Sequence, residues 1–219
     1  MKIYTHYSDS HKDLYEKYFR PSLRKLYSKD EVTIRAAVHS QTTAEGKFME
    51  QGWLESMDYK LQVILQAIEE NWDDFFIFAD TDIVFYDYFI EDLLLEIKGF
   101  DIACQEDCNS LCAGFFIAKG NQKIKNLFTK IRENFKNMVN DQVALNNFKN
   151  MVNFKMLDKE EYYTIGNFFD NEDGTHKWDG NTIIYPPADM RLHHANYVVG
   201  VDEKVKLIEM IKKGYENLV

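Results

Sequence analysis

The most constraining stretch of this chain is Phe75-Phe76-Ile77-Phe78-Ala79-Asp80-Thr81-Asp82-Ile83-Val84-Phe85. A continuous run of aromatic and β-branched residues reads as a strand buried on both faces, the signature of an α/β sheet. Two acids interrupt it. A buried carboxylate is unfavourable unless it is paired or holds a cation. Asp80 and Asp82 are therefore expected at the carboxyl end of the strand, where open α/β sheets bind ligands. With one residue between them, a turn in the backbone brings both carboxylates to one ion. A solvated turn or a helix cap is the plainer alternative.

The chain has 219 residues and a net charge of −10. The length suits one large α/β domain. The charge argues against nucleic acid and against an anionic membrane surface as partners. It also bears on any phosphorylated ligand. Two unit negative charges ~4 Å apart repel by roughly 4 kcal/mol at an effective dielectric near 20. An acidic site for a diphosphate therefore needs a bridging cation. The longest apolar run, Ala113 to Ala118, is too short to span a bilayer, and the N-terminal residues have no apolar signal core. A complete chain of this kind is expected in the cytoplasm. Cys104, Cys108 and Cys112 make an odd count, which suggests free thiols in a reducing compartment.

In chain order, Lys2 to Tyr7 reads as a strand, and Ser10 as the cap of a helix to about Tyr27 that Pro21 kinks or divides. Glu31 to Val38 is a second strand, Ser40 to Gln51 a loop, and Trp53 to Asn71 a long helix with Leu61, Ile64, Leu65 and Ile68 on one face. After the acids come a helix over Tyr88 to Lys98 and strands over Phe100 to Gln105 and Cys112 to Lys119. Asn121 and Asn140 are expected to cap two more helices, the second starting Asp141-Gln142. Short strands are predicted at Asn153 to Leu157, Tyr162 to Ile165 and Thr182 to Tyr185. Gly166 to Asn181 is predicted to be a loop and the best lid, and Trp178 within it is the tryptophan best placed to stack on a ligand. A closing helix after Gly200 should turn Val205, Ile208, Ile211, Tyr215 and Leu218 inward. Alternating strands and helices predict a largely parallel sheet. No linker divides the chain, so one domain with two halves is expected, the first over about 1–86 up to the two acids and the second over about 87–219.

Five ordered features resemble one family. They are Ile3-Tyr4-Thr5-His6-Tyr7, Lys60, Phe78-Ala79-Asp80-Thr81-Asp82, Ala113-Gly114-Phe115-Phe116 followed by Asn140-Asp141-Gln142, and His194-Ala195-Asn196 with Gly200 and Lys204. Together they resemble the GT-A-fold retaining glycosyltransferases of the nucleotide-diphospho-sugar transferase group, relatives of glycogenin and the lipopolysaccharide galactosyltransferases. The resemblance implies a mixed, mostly parallel sheet flanked by helices. It implies a metal site, for Mn²⁺ or Mg²⁺, of Asp80 and Asp82 (the DxD motif) with His194. It implies a donor site of Thr5, His6, Tyr7, Lys60, Asp80, Thr81, Ala113, Gly114, Gly200 and Lys204. Asp141 and Gln142 would lie across the sugar from the leaving group. The donor would be a nucleotide-diphosphate sugar, UDP being the nucleotide most frequent in the family, and the acceptor a glycan, lipid or protein. One departure is Cys112, where the family often has Asn.

Each feature has a plainer reading: Lys60 and Lys204 as solvated lysines, His193 and His194 as one surface and one core histidine, Asp141-Gln142 as a helix's first turn. A different enzyme also fits Asp80-Thr81-Asp82-Ile83-Val84: a haloacid-dehalogenase-like phosphatase with Asp80 as nucleophile. Its motif is expected near the N-terminus, and its downstream Gly-Asp is missing from Phe169-Asp170-Asn171-Glu172-Asp173. A domain that binds a sugar nucleotide without transferring it is the third reading.

Overall fold

A computed structural model describes residues 1–169 and 179–218. The chain opens with β1 (Lys2–Tyr7), a 3₁₀ turn, α1 (Lys12–Leu14), a π-helical turn over Tyr15–Phe19 and α2 (Arg20–Leu26). These helical pieces are continuous. Ser10 lies inside the 3₁₀ turn instead of capping the helix. Pro21 does not break the helix. Its missing N–H and its ring conflict with a regular preceding turn, and the Arg20 amide reaches back five residues to the Tyr15 carbonyl instead.

Next come β2 (Thr33–Val38), α3 (Trp53–Glu70), β3 (Phe75–Ala79), β4 (Ile83–Phe85), α4 (Ile90–Glu96), β5 (Ile102–Asp107) and β6 (Ser110–Lys119). The chain continues with α5 (Gln122–Asn134), α6 (Asp141–Phe148), β7 (Phe154–Met156), β8 (Tyr162–Tyr163), α7 (Gly166–Phe169), β9 (Leu192–His194) and α8 (Val201–Glu216). Asn121 and Asn140 cap α5 and α6 as expected, each side-chain oxygen accepting from the amide three residues on.

Six strands form the main sheet in the order β2-β1-β3-β6-β5-β7. β1 runs parallel to β2 and β3, and β5 parallel to β7, whereas β6 is antiparallel to both its neighbours. β5 and β6 form a hairpin whose turn residues, Cys108 and Asn109, both have positive φ. Cys104 and Cys112 are buried free thiols, and Cys108 is exposed.

Both faces of the sheet are covered. Phe76 and Phe78 of β3 pack with α3 and α5 on one face. Ile77 and Ala79 pack with Phe19, Leu23 and Leu93 on the other. That two-sided burial is what the unbroken apolar run requires.

A second, three-stranded sheet has the order β4-β9-β8 and packs on α8 through Val84, Leu207, Ile208 and Ile211. It departs from the sequence expectation. Thr182 to Tyr185 is not a strand: it runs into Pro186-Pro187, Ile184 is buried against α8, and Tyr185 is exposed. The last strand is β9 instead. Leu218 is exposed and Leu207 takes the inward position. Gly166 to Phe169, expected in the loop, form α7; the rest of the proposed lid up to Trp178 lies outside the described residues.

Candidate active site

The Asp80-Thr81-Asp82 link is where the chain leaves one sheet and enters the other. Ala79 ends β3 and Ile83 begins β4. The Asp80 amide donates to the Gly114 carbonyl at 2.7 Å, which ties the link to β6. Ile83 pairs with His194 in β9, and the Ala195 amide donates to the Asp82 carbonyl at 3.0 Å. Two strand pairings therefore bring residues from the middle and the end of the chain together.

One ligand atom from each of Asp80, Asp82 and His194 lies within 4.8 Å of the others. His194 Nε2 is 3.2 Å from Asp82 Oδ1. The donor set, two carboxylates and an imidazole, suits a Mn²⁺-type ion. Gly114 closes the floor: a Cβ there would run into His194 Cε1 and come within 2.6 Å of Asp80 Oδ2. The residues present fit a divalent cation. His193, one position earlier, points to the opposite face, as strand alternation demands. It is fully buried beside Tyr163, and burial, with neighbouring His194, lowers its pKa to about 3.

Two lysines balance the acids. Lys60 of α3 is buried with its ammonium 3.0 Å from Asp80 and 3.1 Å from Asp141. Burial opposes its charge, but Asp141 and Asp80 outweigh that and raise its pKa. Lys204 of α8 pairs with Asp82 and donates to the Ala195 carbonyl at 3.2 Å. Burial pushes Asp82 up, but Lys204 and His194 hold it well below the usual carboxylate range. Asp80 ends up raised: burial lifts it, Lys60 opposes, and Asp82 adds to the rise. Burial works against a charged His194, yet Asp82 brings its pKa up to about 10.

Lys60→Met should destabilise the fold by about 3–5 kcal/mol, because Asp80 and Asp141 would remain partly or wholly buried without a counter-charge. A urea midpoint equal to that of the unmodified protein would contradict this.

The cluster lies in a cavity of about 510 Å³, within the range of small-ligand sites. Most of the expected residues line it: His6, Tyr7, Lys60, Thr81, Ala113, Gly114, Asp141, Gln142, Gly200 and Lys204, with the three putting forward ligand atoms. Thr5 does not. It is fully buried inside β1, its hydroxyl without a hydrogen-bond partner. Burial, with Lys60 nearby, holds the His6 pKa well below its usual value.

Gln142 is fixed at the start of α6. Its Oε1 accepts from the Ala113 amide at 3.2 Å and its Nε2 donates to Asp107 Oδ2 at 2.9 Å. Asn146, one turn on, accepts from the Leu111 amide and donates to the Leu111 carbonyl, so α6 is stitched to β6. Several cavity residues were not anticipated. Asp107 also accepts from Asn196 at 3.1 Å, and His11 and His39 stand near His6. Asp107 carried a signal, as an acid at a strand end; the two histidines carried none. Cys112 places Sγ 3.6 Å from His194 Nδ1.

A family model described as nucleotide-diphospho-sugar transferase matches residues 20–208. Among curated proteins none matches the sequence significantly. Solved structures share the fold. The glycosyltransferase GlyE of Streptococcus pneumoniae TIGR4 superposes with a TM-score of 0.57 at 13% identity, over 99% of this chain and 62% of its own. A glycosyltransferase involved in glycosylation of the major capsid of PBCV-1 gives 0.62 at 8% identity, over 95% and 97%. The WbbM bifunctional glycosyltransferase gives 0.58 at 11% identity, over 100% and 51%. The chain thus spans less than two thirds of GlyE and about half of WbbM. No helix among the described residues is long and apolar enough to cross a membrane.

Proposed function

Because this chain belongs to the nucleotide-diphospho-sugar transferase family, we propose that it is a metal-dependent glycosyltransferase that moves a sugar from a UDP-sugar to a glycan, lipid or protein acceptor with retention of configuration. The observation that carries this reading is the convergence of Asp80, Asp82 and His194 at the floor of the cavity. Residues of the phosphatase reading's downstream motif, Asp170 to Asp173, lie outside the described residues, and the family match favours the sugar transferase. In this reading the chain is one GT-A domain, with a nucleotide-binding half over about 1–86 and an acceptor-facing half over about 87–219.

Asp80, Asp82 and His194 would hold Mn²⁺ or Mg²⁺. A bound ion supplies Lewis-acid stabilisation to the charge on the departing nucleoside diphosphate. The rest falls to the chain's own residues. Lys204 and the N-terminus of α8 at Gly200 offer positive charge and amide donors to the phosphates. His6 and Tyr7 border the space for the nucleoside. Lys60 keeps Asp80 and Asp141 in place. Gln142, braced by Ala113 and Asp107, presents its amide oxygen to the positive charge developing at the anomeric carbon. An amide is a poor nucleophile, which favours same-face substitution. The bond from the anomeric carbon to the phosphate oxygen breaks, the acceptor oxygen bonds to the same face, and the acceptor's proton passes to the departing phosphate.

A thermal-shift panel of nucleotide sugars with and without Mn²⁺ tests this. A true donor at about a hundred times its Kd should add about 2.7 kcal/mol of stability, and only with the ion. Metal-dependent hydrolysis of that donor without acceptor separates an enzyme from a binding module. No stabilisation by any sugar nucleotide would overturn the proposal. In the same assay Lys204→Ala should raise the Kd for UDP at least about tenfold, the value of a charge-assisted hydrogen bond, without weakening Mn²⁺ alone, since Lys204 competes with the ion for Asp82.

A further inference from the structure

We infer that Gln105 is the positioning residue that commits His194 to presenting Nε2 to the cation. The inference rests on the metal reading above and on a chain of hydrogen bonds that admits one arrangement.

Gln105 is fully buried. It sits at an irregularity in β5, where the register against β6 shifts between Cys104 and Glu106. A bulge of this kind re-aims a side chain. Here it directs the amide into the seam between the two sheets. Gln105 Nε2 donates to the carbonyls of Tyr162 and Tyr163, at 3.0 and 3.2 Å. Carbonyl oxygens only accept, so the NH₂ group must face them and Oε1 must face the other way. What lies there is His194 Nδ1, at 2.9 Å. An amide oxygen also only accepts, so His194 Nδ1 must carry a proton and donate it.

The consequence reaches the site. With Nδ1 committed to Gln105, the remaining nitrogen, Nε2, is the one 3.2 Å from Asp82 and in the cluster with Asp80. Its lone pair is then the only one the neutral ring can offer an ion. Cys112 Sγ is near the same Nδ1 but at 3.6 Å, and a sulfur is the weaker acceptor. The backbone of β8 in this way sets the tautomer of a side chain on β9 through one buried amide. Partners of this type are worth 10- to 100-fold in metal affinity.

Two variants and one measurement on the unmodified protein test the assignment. Gln105→Met fills similar space without an acceptor, and should raise the Kd for Mn²⁺ alone, measured by calorimetry, by about 10- to 100-fold. Gln105→Glu keeps an acceptor oxygen toward Nδ1 while disturbing the bonds to Tyr162 and Tyr163. It should bind Mn²⁺ within a few-fold of the unmodified protein even if its melting temperature falls. A purely structural role predicts the reverse order, with Glu the worse. Long-range ¹H–¹⁵N spectra of histidine-labelled, metal-free protein, recorded at a pH high enough that the His194 ring is neutral, should show it protonated at Nδ1 and bare at Nε2, whether or not either variant folds. Equal Mn²⁺ affinity in Gln105→Met, or a neutral His194 bare at Nδ1, would overturn the inference. Failure of the unmodified protein to bind Mn²⁺ would instead overturn the metal reading, and the tautomer measurement would still decide the role of Gln105.

Discussion

Asp82→Ala is expected to abolish Mn²⁺ binding and to lower glycosyl transfer about a thousandfold. Asp82 is the hinge of the electrostatics: buried, 3.2 Å from His194, and paired with Lys204. Its removal takes one of three ligands from the cluster. A metal-held leaving group is worth several kcal/mol of transition-state stabilisation, and three factors of ten correspond to about 4 kcal/mol. The variant also strands the Lys204 ammonium without its carboxylate, so a loss of fold stability on the order of 3–5 kcal/mol is expected. Asp82→Asn separates the two effects, because it retains the volume and an acceptor oxygen while dropping the charge. Its melting temperature should fall less than that of Asp82→Ala, and its Mn²⁺ affinity should still collapse. Transfer by Asp82→Ala within tenfold of normal, in chelator, would end the metal-dependent reading.

Gly114→Ala is expected to cripple the site by steric means alone. The added Cβ would collide with the His194 ring and sit 2.6 Å from Asp80 Oδ2. Gly114 cannot retreat easily, since its carbonyl holds the Asp80 amide at 2.7 Å and its strand is paired on both sides. The ligands must yield, and a displacement of about 1 Å in such a site can reduce turnover about a hundredfold. Overpacking in the core adds about 1–3 kcal/mol of destabilisation. Calorimetry with Mn²⁺ and a transfer assay should both register the loss. A variant with normal Mn²⁺ affinity would show that Asp80 and His194 are not held against β6 in solution.

The sequence was most informative where one segment decides its own structure. The run Phe75–Ala79 declared a strand buried on both faces, and that is how it packs. Asn121 and Asn140 announced the starts of α5 and α6, because a cap depends only on a side-chain oxygen and an amide three residues on. Reading failed where the partner is remote. Thr182 to Tyr185 has the composition of a strand, but it pairs with no strand among the described residues, and Ile184 packs on α8 instead. Leu192 to His194 is the reverse case: a short segment that becomes a strand because β4 and β8 flank it. Pro21 signalled a kink or a division of the helix, and a single π-helical turn absorbed it.

Within the site the same division holds. The strand-end acids Asp80 and Asp82 were read from the residues, the family resemblance singled out Lys60, Gln142, His194 and Lys204, and each of the six borders the cavity. Nothing in the sequence distinguished Gln105 from any other glutamine, since its meaning comes from two carbonyls more than fifty residues away. Nor did it warn that Lys60 would be shared between Asp80 and Asp141, or that Thr5 would be sealed inside its strand.

The amino-acid order by itself determined the alternation of buried strands and amphipathic helices, the helix caps, and a pair of acids at the mouth of a strand, because these follow from local periodicity and short-range hydrogen bonds. Only the tertiary structure decided how the charges among those acids, His194 and the two lysines are balanced, and which amide orients the His194 ring. Those depend on the pairing of β4 with β9 and of β3 with β6, contacts between segments far apart in the chain, where geometry is fixed by packing and not by neighbours in sequence.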